Sequence, residues 1–209
     1  MTKRSQSKFH ICRKLNKNYN NLWGLPKGES LRSVKNEKKK KKKVSVYGKL
    51  LSVKQSLKFF YSNIGERSFK RLLKKSVKSP LTTLDRFVSF LESRLDVILF
   101  RSCFTSSVHK ARQIINHGAI LVNGKKVRDP STRISQLDLI EIDSNWLNED
   151  LEKSVILKNV EKNFNSRFLP PHLEIDYKTL TIIFLWDPNY KNTYYPIKSN
   201  YGVIQRFYK

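Results

Sequence analysis

Residues His109–Val127 read HKARQIINHGAILVNGKKV, and the hydrophobic period changes within that short span. Val108, Ala111, Ile114 and Ile115 recur at helical spacing, and Gly118 stands where a helix would close on a left-handed residue. Ala119–Val122 then predicts a strand, Asn123-Gly124 a type I′ hairpin turn and Lys125–Val127 the returning strand. Ser106 or Ser107 supplies the helix cap. The outward arc of the helix is His109, Lys110, Arg112, Gln113, Asn116 and His117, with no acid among them.

Moving outward, Asp129-Pro130 marks a second turn and Leu139–Ile142 a further strand. Upstream, Thr82 opens a helix with Asp85 in capping-box spacing. At 100° per residue, Leu84, Phe87, Val88, Leu91, Leu95 and Ile98 share one face, and Asp85, Ser89, Glu92, Ser93 and Asp96 lie opposite. Arg94 falls at the edge of the stripe. It is either a snorkelling arginine or one held to meet a phosphate or a base.

Before that helix, Leu50, Leu51, Val53, Leu57, Phe60, Tyr61 and Ile64 follow helical spacing until Gly65 breaks it. Glu66–Lys75 gives a second helix, its acid first and its lysines last, which suits the helix dipole. Residues 1–43 show no sustained period. They carry a Pro26-Lys27-Gly28 loop signal and six consecutive lysines, Lys38–Lys43, a run that is either a solvated tail or an extension that orders among phosphates. After Ile142 a polar linker through Asn148-Glu149-Asp150 leads to Leu173, Ile175 and Tyr177, which alternate as a strand. Leu180–Trp186 is an apolar run expected to be a buried strand, and Phe207 and Tyr208 are placed to dock the C-terminus.

The expected fold class is α+β: a helical N-terminal region, a small module of two helices packed on a short antiparallel sheet, and a small C-terminal β-containing segment. The boundaries are 1–43 for a basic extension, 44–83 for the helical region, 84–143 for the module, and 144–209 for a linker and C-terminal segment packing back on the N-terminal region.

Charge narrows the partner. The net charge is +25, and residues 1–83 alone hold 24 Lys/Arg against 3 Asp/Glu. Residues 84–143 and 144–209 each hold 9 against 7. Within 101–133, however, seven Lys/Arg face one acid, so the near-neutral module has a basic lobe. Such an excess wants a polyanion. No apolar run of about 18 residues and no basic helix with an anchor supports a membrane, which leaves nucleic acid. Cys12 and Cys103 stand apart without the converging ligands that zinc needs, so no metal and no cofactor is expected. The opening MTKRSQSKFHICRKL is basic and acid-free, and reads as a basic arm rather than a cleaved signal.

The run LESRLDVILFRSCFTSSVHKARQIINHGAILVNGKKV, followed by DLIEI, resembles the RNA-binding module of small-subunit ribosomal protein four, written S-four. YGKLLSVKQSLKFFYSNIGERSFKRLL resembles the helical region before that module, and HLEIDYKTLTIIF with the terminal RFYK resembles the segment after it. CRKLNKNYNNLWG is similar to the opening of mitochondrially encoded S-four proteins. The Lys-rich insertion and residues 143–169 fit the pattern poorly, and the cysteine zinc site of some bacterial members is missing. The resemblance implies a structural ribosomal protein of the mitochondrial matrix, and the Lys/Asn/Phe-heavy composition leans toward synthesis inside the organelle. The resemblance also implies binding to small-subunit rRNA at a 5′-domain junction early in assembly, beside ribosomal proteins three and five, where mRNA enters. Carried over by position, Arg94, Arg112, His117, Lys125 and Lys126 meet RNA, as do Tyr47, Lys49, Lys54 and Lys58 in the helical region. The basic lobe adds Arg101, Lys110 and Arg128.

Two other function classes compete with this one. Arg94-Leu95-Asp96 is similar to the tripeptide around the catalytic aspartate of pseudouridine synthases that carry the same module. There it continues with Thr/Ser-Gly in a loop. Here Val97-Ile98-Leu99-Phe100 follows, and the chain has no domain large enough to enclose a flipped base. A free RNA-binding assembly or rescue factor is the remaining alternative, disfavoured because the resemblance covers both flanks of the module.

Overall fold

The computed structural model describes residues 45–143, 146, 156–158, 160–161, 164, 167–195 and 201–208. The Lys38–Lys43 run, Cys12 and the Asn148-Glu149-Asp150 stretch lie outside them. The chain divides into two compact units, one grouping residues up to Phe69 with Tyr195–Lys209, the other comprising Lys70–Tyr194.

In the first unit, helix α1 (Val46–Phe60) starts at Ser45, whose hydroxyl accepts the Gly48 N–H at 3.1 Å. Leu57, Phe60 and Tyr61 are buried with Ile64, Tyr195, Tyr201 and Ile204. The Tyr61 and Tyr195 hydroxyls share a hydrogen bond of 2.6 Å, which satisfies two polar groups that burial would otherwise penalise. The expected stop at Gly65 needs correcting. The backbone turns left-handed earlier, at Ser62 (φ 61°) and Asn63 (φ 53°), and α1 ends at Phe60. Asparagine tolerates that conformation through local hydrogen bonding, so a glycine was not required. Helix α2 (Glu66–Val77) begins in this unit, where Phe69 is buried, and from Lys70 onward belongs to the second, where Leu73 is buried.

In the second unit, Thr82 caps helix α3 (Thr83–Glu92): its hydroxyl accepts the Asp85 N–H at 3.2 Å and donates to the Asp85 carboxylate. The single helix expected from Thr82 through Ile98 is in fact two, because the chain is extended at Arg94 before helix α4 (Leu95–Arg101). The break is held by strand-like pairing. Ile134 N–H reaches the Ser93 carbonyl at 2.8 Å, Leu95 N–H reaches that of Thr132 at 3.0 Å, and Arg94 bridges Arg133. Helix α5 (Val108–Asn116) is capped by Ser107 rather than Ser106.

Strands β1 (Ile120–Val122), β2 (Lys125–Val127), β3 (Leu139–Ile142), β4 (Leu173–Asp176) and β5 (Thr181–Phe184) form one antiparallel sheet in the order β2-β1-β3-β5-β4. The two C-terminal strands therefore extend the module's sheet. Ile120, Ile140, Ile142, Ile182 and Phe184 point to one face and pack with Leu95, Ile98, Leu99, Ala111, Ile115, Ile156 and Val160. Burying an aliphatic side chain of this size stabilises by roughly 1.5–3 kcal/mol, so this layer fixes where α5 and the hairpin stand.

Candidate nucleic-acid interface

Helix α5 buries Val108, Ala111, Ile114 and Ile115, which turns Lys110, Gln113, Asn116 and His117 outward into solvent. The helix closes at His117, and Gly118 takes φ +77°. The hairpin tip is left-handed at both Asn123 (φ 50°) and Gly124 (φ 73°), as a type I′ turn requires. Asn123 ties the turn down: its side-chain Oδ1 accepts the Leu139 N–H at 2.9 Å and its Nδ2 donates to Asp138 at 2.8 Å. Lys125, Lys126 and Arg128 are exposed on and after the returning strand.

Lys126 and Arg128 converge on the end of the helix. A Cβ on Gly118 would lie 3.0 Å from Lys126 Cε and 3.2 Å from Arg128 Nε, so both basic side chains lie over the end of α5. Cations there meet the negative end of the helix dipole. Lys126 also pairs with Asp143 at 3.0 Å, a partner the sequence did not signal because it lies 17 positions away, just past β3, where its N–H bonds the Ala119 carbonyl.

Arg112 is anchored from below. Its Nε donates to Asp96 Oδ2 at 2.8 Å, while its side chain keeps 28% of its surface exposed. Arg94 grips the same carboxylate with Nε at 3.0 Å and Nη2 at 2.7 Å. Of the two readings of Arg94, neither a solvated head nor an open hand survives, since Arg94 and Asp96 are both buried. Arg101 needs a correction: it is buried, with two bonds to Glu92 at 2.9 and 2.7 Å and one to the Tyr194 carbonyl at 2.9 Å. A guanidinium enclosed in this way holds the fold together. Glu92 and Asp96, placed by the helical wheel on a polar face, have no exposed surface either. Burying a carboxylate demands such partners.

In the helical region Lys49 is exposed, whereas Lys54 is buried. Glu66 accepts Lys54 at 3.0 Å, Lys58 at 2.6 Å and the Tyr208 hydroxyl at 2.5 Å. Burial alone would raise its pKa, but hydrogen bonds from Lys58, Tyr208 and Lys54 outweigh that and bring it down to about 2. Lys54 also lies 3.8 Å from the Phe207 ring, and Tyr47, though exposed, stacks on Phe207 at 5.6 Å. Phe207 and Tyr208 thus dock within this unit, and only Lys49 and part of Tyr47 face outward.

Comparison with known proteins adds the lineage. Residues 93–140 match the family model described as the S4 domain, and residues 3–92 match that of the ribosomal protein S4/S9 N-terminal domain. The small ribosomal subunit protein uS4 of Caulobacter vibrioides is 33% identical over 100% of this chain and 99% of its own. This chain belongs to the ribosomal protein S4 family. The uS4 proteins of Ruegeria sp. and Pelagibacter ubique are 32% and 33% identical over 100% of the chain, covering 98% and 99% of theirs. In this S4 family member the two matches meet where α3 breaks from α4, and strands β4 and β5 lie beyond the S4 domain match. Among the described residues no group of three or more His, Cys, Asp or Glu is arranged to hold a metal, and no helix is long and apolar enough to cross a membrane.

Proposed function

We propose that this chain is a structural, non-enzymatic constituent of the small ribosomal subunit, binding and organising small-subunit rRNA through α5 and the β1–β2 hairpin. One observation carries the reading. Lys110 and His117 of α5 and Lys125, Lys126 and Arg128 of the hairpin are all exposed, Lys126 and Arg128 lie over the end of α5, and Arg112 is partly exposed, on a helix that contains no acid. A-form RNA offers phosphates, 2′-hydroxyls and shape more readily than its deep groove. Lysines at the hairpin meet phosphates as point charges, Arg112 presents a planar donor group, and Asn116 and His117 reach hydroxyls or base edges. A folded junction is recognised in this way, not a sequence.

The finer placement rests on the family. The site is a 5′-domain junction bound early in assembly, beside ribosomal proteins three and five and close to where mRNA enters. The opening CRKLNKNYNNLWG and the abundance of Lys, Asn and Phe support a mitochondrial small subunit. The bacterial uS4 relatives suit a bacterial-type ribosome.

The test is the salt dependence of rRNA binding. Lys125→Glu with Lys126→Glu weakens binding and flattens the slope of log K against log salt by about two charges' worth. An unchanged slope removes the hairpin from the binding face.

A further inference from the structure

A second group of cations stands apart from α5, around the ring of Phe90. Lys75 Nζ lies 5.1 Å from the ring centroid, Arg86 Cζ 4.8 Å and Arg133 Cζ 4.6 Å. Phe90 itself is buried, and the three cations pack around its ring. Among the described residues, the carboxylate that pairs with them is Asp187, whose Oδ2 takes Arg86 Nη1 at 2.8 Å and Arg133 Nη2 at 3.3 Å. Three positive charges meet one negative charge.

We propose that Lys75, Arg86 and Arg133 form a second phosphate-binding patch for the RNA backbone, an inference that rests on the rRNA-binding reading above. Four features point to a phosphodiester. First, like charges gathered around one ring repel, and a bound anion relieves the repulsion that Asp187 only partly offsets. Second, the group is built rather than incidental: Arg86 and Phe90 are one turn apart on α3, and stacking over the ring restricts the guanidinium planes. A preoriented guanidinium suits the paired oxygens of a phosphate. Third, access exists, since Arg133 keeps 39% of its side chain exposed, Arg86 keeps 26%, and Lys75 is exposed. Fourth, the patch is tied to the proposed interface through the backbone: Arg133 forms a β-bridge with Arg94, whose buried side chain shares Asp96 with Arg112.

The experiment measures binding of the full chain to a 5′-domain transcript of small-subunit rRNA across a salt series, with each variant's folding checked by thermal unfolding. Lys75→Gln and Arg133→Gln are each expected to lower the slope by roughly 0.7–0.9, the loss of one phosphate contact. Asp187→Asn is expected to shift affinity the other way, tightening binding several-fold at low salt although it breaks two ion pairs. If Asp187 is only a structural clasp, Asp187→Asn lowers the unfolding temperature and leaves affinity and slope unchanged, which overturns the proposal. Wild-type slopes for Lys75→Gln and Arg133→Gln overturn it too, as an acidic protein partner in place of RNA would produce. A wild-type chain that does not bind the transcript would instead sink the rRNA-binding reading itself, with the hairpin variant as the internal reference.

Discussion

Asp96 has no exposed surface and accepts three guanidinium hydrogen bonds, two from Arg94 and one from Arg112. Removing its charge strands two arginines, one of them buried. Asp96→Asn is therefore expected to destabilise the fold by about 3 kcal/mol, read from urea unfolding, and a cost below about 1 kcal/mol contradicts the clamp. His172 gives a second prediction. It is buried against Phe184 with neither ring nitrogen hydrogen-bonded, and burial holds its pKa at about 4, below the usual 6.5. Between those values the unfolded chain binds a proton that the folded chain refuses. Stability should thus be unaffected by this group above pH 6.5 and fall by up to about 3 kcal/mol as pH drops to 4. His172→Phe should remove that component, and an identical pH profile in the variant refutes the assignment. Neither residue's role was legible in the sequence. The helical wheel assumed one continuous helix, so it could not show Arg94 turning onto Asp96 at a break, nor Arg101 and the Tyr194 backbone closing over Glu92.

Helix α5 and its hairpin were the most legible elements, because their signals are local: a serine cap, a glycine stop, and Asn123-Gly124 between alternating residues. Gly118 is where that local logic meets the proposed function. At φ +77° an L side chain is strained, and a Cβ would press on Lys126 at 3.0 Å. Gly118→Ala should cost about 1–2 kcal/mol and weaken RNA binding as Lys126 and Arg128 shift. Calorimetry and the binding isotherm check the two parts, and a variant as stable and as tight as wild type contradicts the close approach. The stop of α1 shows the opposite case. Gly65 advertised an end, but Ser62 and Asn63 make the turn, and nothing in their local pattern distinguished them from helix. The break before α4 was hidden for a related reason: its partners lie at Thr132–Ile134, beyond the reach of any periodicity.

Over the whole molecule, the charge asymmetry was enough to anticipate a nucleic-acid partner and the periodicities an α+β class, while the choice of RNA came from the family resemblance, with which the family matches agree. What stayed out of reach were contacts between distant residues. Tyr208 reaches Glu66 and Arg86 reaches Asp187, pairs separated by 142 and 101 positions. Such pairs decide which cations are used up inside the fold and which remain for a ligand, so composition overstated the interface at Arg101 and Lys54. The central claim is that the chain is a built-in part of the small subunit, held by many phosphate contacts. The direct measurement is sedimentation of a lysate from the source cells in high salt, following this chain against small-subunit rRNA. Co-migration with mature small subunits after the wash is the expected result. Release into the soluble fraction would contradict the claim and leave an RNA-binding factor that visits the ribosome and departs.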